Sequence, residues 1–376
     1  MIFEDAIALT RKLVSFDTVT PPGNEEAVAL FLGELLGQNG FTVRYDRLSA
    51  KRLTLVAEKG LTGHVPPVVL TGHLDTIPLG TTPWDEDPFS GIIKDGKIYG
   101  RGTSDMKSGV AAMACAAVQA FWGSTPEGGV RLIFTAGEEP GCIGAQHLAD
   151  TRFPLGSARA ILVGEPTANI PAIGHKGALY LYVSATGKTA HSSMPHLGEN
   201  AVYKVARAIA RTEEFRFHAQ PDGLHGMPTL NVGMVGGGKN LNSVPDSAWF
   251  TIDIRSTPLV DHAEILERLS VELGPEVSVE KRVDLRPVTT DESSSFVQMV
   301  YDVCDIVAGG NRHQKSLPYV TDGSVLQGLY GGVPTVILGP GQPQMAHQTN
   351  EFCQTSKIED AVNLYKEIIL RMGEVR

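Results

Sequence analysis

The first half of the chain alternates between helix-like and strand-like spacing of apolar residues. A stripe with i, i+3, i+4, i+7, i+8 spacing predicts an amphipathic helix, capped by Asn24 and ended by Gly40. The stripe consists of Val28, Phe31, Leu32, Leu35 and Leu36. Short apolar runs predict buried strands at 68–71, 130–136 and 160–163. An Ala-rich segment at about 106–122 predicts a helix between the first two strands, so the order indicates parallel βαβ units.

The apolar spacing changes between residues 176 and 284. The predicted order there is strand, helix, strand, strand, helix, strand, at 178–186, 199–217, 229–235, 248–255, 261–273 and 277–283. This β-α-β-β-α-β order is that of a ferredoxin-like unit. An apolar run from Pro334 and a helix at about 356–372 should then rejoin the first sheet. We therefore expect an α/β domain made of 1–175 and 285–376, into which an α+β domain, 176–284, is inserted.

Charge and composition argue against several classes of partner. The chain has 376 residues, a formal net charge of -10 and no run of Lys or Arg, so neither nucleic acid nor an anionic membrane is an expected partner. No apolar run approaches the roughly 18 residues of a membrane span. The first residues, MIFEDAIALTRKL, carry acids where a signal peptide carries bases, so a soluble cytoplasmic protein is expected. The four cysteines have no CxxC spacing, which favours reduced thiols.

Acids and histidines follow the predicted strand ends, which share one edge in a parallel sheet. They are His73, Asp75, Glu138, Glu139, Glu165 and His347, and Asp105 joins them from the start of the predicted Ala-rich helix. Each could have a structural role alone, as a core histidine, an N-cap or a turn acid. Together they offer nitrogen and oxygen ligands without thiolate, which suit Zn, Co or Mn and exceed the needs of one catalytic zinc. We therefore expect two divalent ions per chain bridged by a carboxylate, with Asp75 accepting the second imidazole N–H of His73.

The motifs around these residues resemble those of the dinuclear zinc metallopeptidases and amidohydrolases, which include acetylornithine deacetylase, succinyl-diaminopimelate desuccinylase, aminoacylase and carboxypeptidase G. The motifs span essentially the whole chain, in the order GHLDT, GRGTSDMK, GEE, GEPT, AHSSMPHLGENA, NSVPD with DIR, and AHQTNE. The resemblance implies a three-layer α/β/α catalytic domain and an inserted dimerisation (lid) domain in a homodimer. It also implies His73, Asp105 and Glu165 on one metal, and Asp105, Glu139 and His347 on the other.

The resemblance assigns the proton transfers as well. Glu138 is implied as the general acid/base, which takes a proton from a water shared by two cations and returns it to the leaving amine. His191 is implied as the oxyanion donor, reaching the metals of the partner chain. Arg255 and Asn242 are implied as substrate contacts, with Arg255 gripping a carboxylate. The structural alternatives are a surface turn for His191 and a salt bridge for Arg255.

The expected activity is deacylation of an N-acyl amino acid, and the substrate would be this small molecule or a short peptide. The HKG at 175–177 and the LGPG before His347 resemble acetylornithine deacetylases. Succinyl-diaminopimelate desuccinylase and a carboxypeptidase or dipeptidase are the alternatives. Ser108 stands where relatives often have Gly, which affects no ligand.

Other enzyme classes do not fit the sequence. Tyr182 stands where a phosphate-binding loop needs its first Gly, and neither G-x-S-x-G nor H-E-x-x-H occurs. A scaffold that had lost the chemistry should lack a ligand or Glu138, and none is missing.

Overall fold

The computed structural model describes residues 2–309 and 315–375, which form two compact units. The described residues of the first unit are 2–174, 288–309, 315 and 321–375, and those of the second are 175–287 and 316–320. The sequence placed 316–320 with the first domain. In the structure this segment belongs to the second unit, because the backbone N–H of Lys176 donates to the carbonyl of Leu317 at 3.0 Å.

The elements have the following bounds. The helices are α1 (Ala6–Val14), α2 (Glu26–Gln38), α3 (Ser108–Gln119), α4 (Ile143–Asp150), α5 (Ala201–Glu214), α6 (His262–Leu273), α7 (Ser295–Ala308), α8 (Gly323–Leu329) and α9 (Thr355–Leu370). The strands are β1 (Thr42–Ser49), β2 (Arg52–Lys59), β3 (Val68–His73), β4 (Ile92–Lys94), β5 (Lys97–Tyr99), β6 (Val130–Thr135), β7 (Ala160–Val163), β8 (Gly174–His175), β9 (Gly177–Thr186), β10 (Thr229–Gly237), β11 (Ser247–Ser256), β12 (Ser278–Leu285), β13 (Val288–Thr289), β14 (Thr335–Ile337) and β15 (Phe352–Gln354).

The first unit is built on a six-stranded sheet with the order β1-β2-β6-β3-β7-β14. The strands from β6 to β14 are parallel, and β2 and β1 extend the sheet in antiparallel pairs. Every residue of β3, β6 and β7 is buried. Near-continuous apolar strands of this kind are typical of a parallel sheet that is covered on both faces. The expected α/β fold with a mostly parallel sheet is therefore confirmed.

Helices cover this sheet. The first group is α1, α3, α7 and α9, in which α3 contacts β3 and β6; the second is α4 and α8, in which α8 contacts β7. Residues 108–118 of α3 are all buried, which explains its Ala-rich composition, since small side chains let neighbouring elements approach from every side. A separate three-stranded antiparallel sheet, β15-β5-β4, joins the segment after residue 350 to the segment before residue 100.

The second unit is a four-stranded antiparallel sheet with the order β10-β11-β9-β12. Helices α5 and α6 pack on it, and their apolar faces meet the alternating inward residues of β9 and β11 around Phe250 and Leu269. Asn200 and Asp261 cap these helices, accepting hydrogen bonds from the first-turn N–H groups. The unit thus has the connectivity of a ferredoxin-like fold.

Local differences from the sequence expectations concern helix starts and edge strands. Helix α2 begins at Glu26 rather than after Asn24, and Glu25 is fully buried against Arg52. The Ala-rich helix begins at Ser108, because Asp105 and Met106 have non-helical backbone angles. Strands β1 and β2 were not predicted; β1 is mostly polar and lies at the sheet edge.

All four cysteines are free and buried, as expected for reduced thiols. Within the described part of the chain, no helix has both the length and the apolar character needed to cross a bilayer.

Candidate active site

Three neighbouring parallel strands, β6, β3 and β7, end at one edge of the large sheet. His73, the last residue of β3, is in register with Thr135, the last residue of β6. Two residues earlier, Thr71 is in register with Val163, which ends β7. Because the strands run in the same direction, the carboxylates that follow them leave the sheet at this edge. These carboxylates are Glu138, Glu139 and Glu165.

Asp105 faces two histidines, one with each carboxylate oxygen. His73 Nε2 lies 3.0 Å from Asp105 Oδ1 and 3.7 Å from Glu165 Oε1. His347 Nε2 lies 3.5 Å from Asp105 Oδ2 and 3.1 Å from Glu139 Oε2. The five residues proposed as metal ligands therefore converge on Asp105, which is placed between the other two pairs.

The donor atoms are close enough for metal binding. Two overlapping groups, His73 with Asp105 and Glu139, and His73 with Glu138 and Glu165, each have ligand atoms within 4.8 Å of one another. Glu139 Oε1 is buried, and no described residue forms a hydrogen bond with it. A buried carboxylate oxygen without a partner is unfavourable unless a cation or donor compensates it. The nitrogen and oxygen donors at this edge therefore fit divalent cations.

The electrostatics agree with this assignment. Burial raises the pKa of Glu138 well above its usual value, and the charge of Glu165 raises it further. Burial also raises the pKa of Glu165 and of Glu139, with Asp105 adding to both. Burial opposes protonation of His73, but its hydrogen bond to Asp105 and the surrounding carboxylates raise its pKa well above the usual value. The protein has thus assembled an excess of negative charge that favours positive charge at this edge.

Asp75 is placed differently from the sequence expectation. The Nδ1 of His73 lies 2.9 Å from the backbone carbonyl oxygen of Asp75, whereas the Asp75 carboxylate is 3.6 Å away. Because a carbonyl only accepts, Nδ1 carries a hydrogen, and Nε2 is the ring nitrogen that faces Asp105 and Glu165. The main chain of Asp75, not its side chain, therefore orients the His73 ring.

The carboxylate of Asp75 instead holds the turn that carries the paired glutamates. It accepts hydrogen bonds from the backbone N–H groups of Gly137, Glu138 and Glu139, at 2.9, 3.0 and 3.2 Å. Gly137 has φ +74°, and a Cβ there would lie 2.6 Å from Ile143, so the turn requires glycine. The turn lets Glu138 face Glu165 while its neighbour faces His347.

A close approach between α3 and the end of β7 helps bring Asp105 to Glu165. A Cβ on Gly109, in the first turn of α3, would lie 2.4 Å from the carbonyl oxygen of Gly164, which precedes Glu165. Only glycine permits this separation. The small residue thus allows two segments that carry proposed metal ligands, Asp105 and Glu165, to lie side by side.

Sequence reasoning missed several buried groups beside this edge, and Asp322 and Arg52 are two of them. Asp322 is 2% exposed, accepts a hydrogen bond from Thr135 at the end of β6, and has a pKa raised to about 6 by burial. Arg52 pairs with buried Glu25, and its guanidinium lies 3.9 Å from the Asp75 carboxylate. Neither follows a predicted strand end, so the rule that located the other acids could not find them.

The second unit contains the remaining candidates. His191 is exposed, and its neighbour Ser192 donates to the carbonyl of Asn242 at 3.0 Å, so these two candidates lie on adjacent segments. The N–H of Ser193 donates to His191 Nδ1 at 3.2 Å, which leaves Nε2 as the protonated nitrogen. Arg255 pairs with Asp253 at 2.9 Å and lies 5.2 Å from the Tyr180 ring centre. The unit therefore brings His191 and Asn242 together, while Arg255 is already paired.

Comparison with known proteins gives the family. Residues 69–371 match Peptidase family M20/M25/M40. The succinyl-diaminopimelate desuccinylase of Cereibacter sphaeroides is 32% identical over 384 residues, covering 97% of this chain and 98% of that protein. A tripeptidase structure from Staphylococcus aureus superposes with a TM-score of 0.74 at 26% identity, covering 98% of this chain and 97% of that one.

A dinuclear metal-binding peptidase of the M20 family from Bacillus subtilis shares the fold. It superposes with a TM-score of 0.72 at 15% identity, covering 100% of this chain and 99% of that one. The matched family segment contains every residue that converges at the sheet edge, from His73 to His347. The chain therefore belongs to Peptidase family M20/M25/M40 and is a metal-dependent hydrolase of amide bonds.

Proposed function

We propose that this chain hydrolyses the amide bond of an N-acyl amino acid, with Glu138 as the general acid/base. The observation that carries the proposal is the position of Glu138. Its carboxylate is buried with His73 and Glu165, and its backbone is fixed by Asp75. A carboxylate held against the ligand cluster in this way can take up a proton and release it without leaving the site.

The proposal includes two divalent ions per chain. His73, Asp105 and Glu165 would hold one ion, and Asp105, Glu139 and His347 the other. Two observations support this division: Asp105 contacts a histidine with each oxygen, and Glu139 Oε1 has no hydrogen-bond partner in the described part of the chain. Zinc suits the donor set best, and Co or Mn also fit. Two such cations would lower the pKa of a water and polarise the amide carbonyl.

Residues of the chain would then transfer the protons and stabilise the charge that develops during the reaction. Glu138 takes the proton of the attacking water and gives it to the amine nitrogen as the C–N bond breaks. His191 donates from Nε2 to the oxygen that gains negative charge, a role that its tautomer supports. Arg255 binds the substrate carboxylate, with Asn242 as a further contact. Asp253 and Tyr180 keep the Arg255 guanidinium oriented, so a substrate carboxylate would have to share it.

Acetyl and succinyl groups and short peptides are the three substrate classes that we consider. The HKG and LGPG segments favour an acetylornithine-like substrate. The desuccinylase at 32% identity favours a succinylated diamino acid. The tripeptidase likeness adds short peptides as a third class. All three substrates present an amide beside a carboxylate, so the same site could act on each of them.

Turnover of a substrate panel tests the proposal. Protein loaded with zinc is assayed against N-acetylornithine, N-succinyl-diaminopimelate, and matched di- and tripeptides. We expect an N-acyl amino acid to give the highest kcat/KM, and EDTA to abolish the activity. Faster cleavage of every peptide than of any N-acyl amino acid would replace deacylation by peptidase activity. A protein with two bound ions that cleaves none of them would contradict the proposal.

We also propose that the chain forms a homodimer through the β10 edge of the second unit. Strand β12, at the other edge, carries the charged residues Glu280, Lys281 and Arg282, which disfavour pairing with another strand. Strand β10 instead exposes Met234 and Val235, each by more than half. A cavity of about 180 Å³ between α5 and β10 adds apolar surface beside them. An apolar edge with unpaired backbone groups is suited to a second copy of the same strand.

The oligomeric state tests this edge. Val235→Lys should give monomers in sedimentation experiments, because it places a charge in the proposed interface. Ser278→Lys makes the same charge change on the exposed β12 edge and should leave the dimer intact. A dimer that survives the first substitution, or that is lost through the second, would rule out β10 as the interface.

A further inference from the structure

Glu351 lies four residues after His347 and is completely buried. Its carboxylate accepts four hydrogen bonds from the segment that leads to Asp105. The donors are Arg101 Nη1 at 2.7 Å and the backbone N–H groups of Gly102 at 2.9 Å, Ser104 at 2.7 Å and Asp105 at 2.9 Å. These residues are about 250 positions away in the sequence, so the contact is entirely tertiary. One side chain therefore joins two segments that each carry a proposed ligand.

The chemistry of these contacts requires a carboxylate. All four partners are donors, and a carboxylate accepts through both oxygens. The Arg101 guanidinium, 2% exposed, balances the charge. Three backbone N–H groups that converge on one anion fix the main chain between residues 102 and 105. The amide of Asp105 is itself one of these groups, so the ligand residue is held by its own backbone.

Further contacts join the same two segments. Ser104 Oγ donates to the carbonyl of Phe352 at 2.6 Å and accepts from the N–H of Gln342 at 3.0 Å. The N–H of Gly100 donates to the carbonyl of Glu351 at 2.9 Å. Phe352 then pairs with Tyr99 in the β15–β5 ladder. Glu351 is the charged centre of this connection, and the others extend it on both sides.

We propose that Glu351 is a positioning residue that holds Asp105 and His347 at the separation needed to share a metal ion. The inference rests on the proposed metal-dependent function. Relaxing the Asp105 backbone would move the oxygen that faces His347 at 3.5 Å. Replacing a residue that hydrogen-bonds to a metal ligand and orients it typically lowers metal affinity by roughly 10–100-fold.

The test compares Glu351→Gln with Glu58→Gln. Glutamine keeps the volume of Glu351 but turns an NH₂ group toward donors. Glu58 is the matched control, since it is also a mostly buried carboxylate, paired with Arg131 at 2.6 Å and Arg44 at 2.8 Å. Arg131 lies near the start of β6, away from the edge where that strand delivers Glu138. Both substitutions remove a buried charge, but only the first should affect the metal site.

Zinc affinity is measured by competition with a chromophoric chelator, and the absorption spectrum of bound Co²⁺ is recorded. We expect Glu351→Gln to weaken at least one ion roughly tenfold or more and to change the Co²⁺ spectrum. Glu58→Gln should bind both ions like the wild type. Wild-type affinity and spectrum in folded Glu351→Gln would overturn the inference, as would an equal loss in Glu58→Gln.

The same metal titration also covers two other cases: a Glu351→Gln variant that does not fold, and a failure of the proposed metal-dependent function. If Glu351→Gln does not fold, Glu351→Asp keeps the charge but withdraws the carboxylate from the backbone N–H groups. Weakened metal binding in that variant supports the inference, and wild-type binding overturns it. The titration of the wild type reports on the proposed function alone, because a wild-type protein that binds no ion would contradict that function whatever the variants do.

Discussion

Glu138 and Glu139 are neighbours in sequence with the same side chain, but the fold gives them different surroundings. Glu138 lies with His73 and Glu165, and its carboxylate contacts the Cys142 thiol at 3.6 Å. Glu139 lies 3.1 Å from His347, and one of its oxygens has no hydrogen-bond partner among the described residues. The turn at Gly137 and the three hydrogen bonds to Asp75 create this difference. The direction of the backbone at this turn therefore determines which groups each glutamate contacts.

This difference predicts different effects of substitution. Glu138→Ala should lower kcat by about 10²–10⁴-fold, the usual contribution of a general acid/base, and leave both ions bound. Glu139→Ala should chiefly weaken the binding of one ion, because it removes a proposed ligand. Steady-state kinetics and elemental analysis of both variants provide the check. A Glu138 variant that lost metal, and recovered activity when metal was added, would show that the two roles are reversed.

A second residue-scale prediction concerns pH. His175 is fully buried, and burial lowers its pKa to about 4. The unfolded chain binds this proton below about pH 6.5, so between pH 6.5 and 4 the unfolded state holds more protons. The stability that neutral His175 contributes is therefore complete above pH 6.5 and lost as pH falls. By pH 4.5 the loss should reach roughly 2–3 kcal/mol.

Urea unfolding at pH 7 and pH 4.5 measures this contribution. His175→Gln should lose less free energy of unfolding between the two pH values than the wild type, by roughly 2–3 kcal/mol. His218→Gln, at an exposed position, should keep the wild-type pH dependence. The same pH dependence in all three proteins would show that His175 does not contribute to acid destabilisation.

At the scale of elements, the site depends on how closely α3 approaches the end of β7. Helix α3 is buried on all sides, and Gly109 contacts the carbonyl of Gly164. Helix α2 also contains a glycine, Gly37, where a Cβ would meet Val43 only at 3.9 Å. Gly109 is therefore needed for a close approach between two segments, whereas the surroundings of Gly37 leave room for a Cβ.

The two positions predict opposite effects of alanine. Gly109→Ala should destabilise the protein by about 1–3 kcal/mol, because the new Cβ meets a backbone atom that cannot move aside. Gly37→Ala should stabilise it by about 0.5–1 kcal/mol, because alanine is the better helix former and the space is free. Chemical denaturation of both variants gives the comparison. Equal effects would mean that helix propensity, and not the close approach, determines the result at Gly109.

At the scale of the whole molecule, the proposed catalytic groups are distributed over two compact units. The proposed ligands and Glu138 lie in the first unit, whereas His191, Asn242 and Arg255 lie in the second. The resemblance noted in the sequence implies that His191 acts on the metals of a partner chain. Under that proposal, one chain alone would not hold a complete set of catalytic groups.

Subunit mixing tests this arrangement. His191→Ala and Glu138→Ala should each be nearly inactive alone. Under conditions that exchange subunits, random pairing gives mixed dimers in which one site has both groups, so up to roughly a quarter of wild-type activity should return. Verified exchange without recovered activity would mean that His191 acts within its own chain or has no catalytic role.

The sequence alone determined much of the architecture and the identity of the clustered residues. Periodicity is local, so the strands that end near His73, Glu138 and Glu165 could be predicted from short windows. Acids and histidines that follow parallel strands must meet at one edge, so their convergence could be predicted too. The ferredoxin-like order of the second unit is also visible in the spacing.

Only the tertiary structure decided how those residues are held. The Asp75 carboxylate supports the backbone of the glutamate turn, although the sequence suggested that it contacts His73. Glu351 binds the Asp105 segment, about 250 residues away in the sequence. Arg52 binds Glu25 and also lies 3.9 Å from the Asp75 carboxylate. Hydrogen bonds of this kind leave no periodic signal, because their geometry depends on how distant segments pack. The sequence thus specifies which chemical groups reach the site, and long-range packing specifies their orientation.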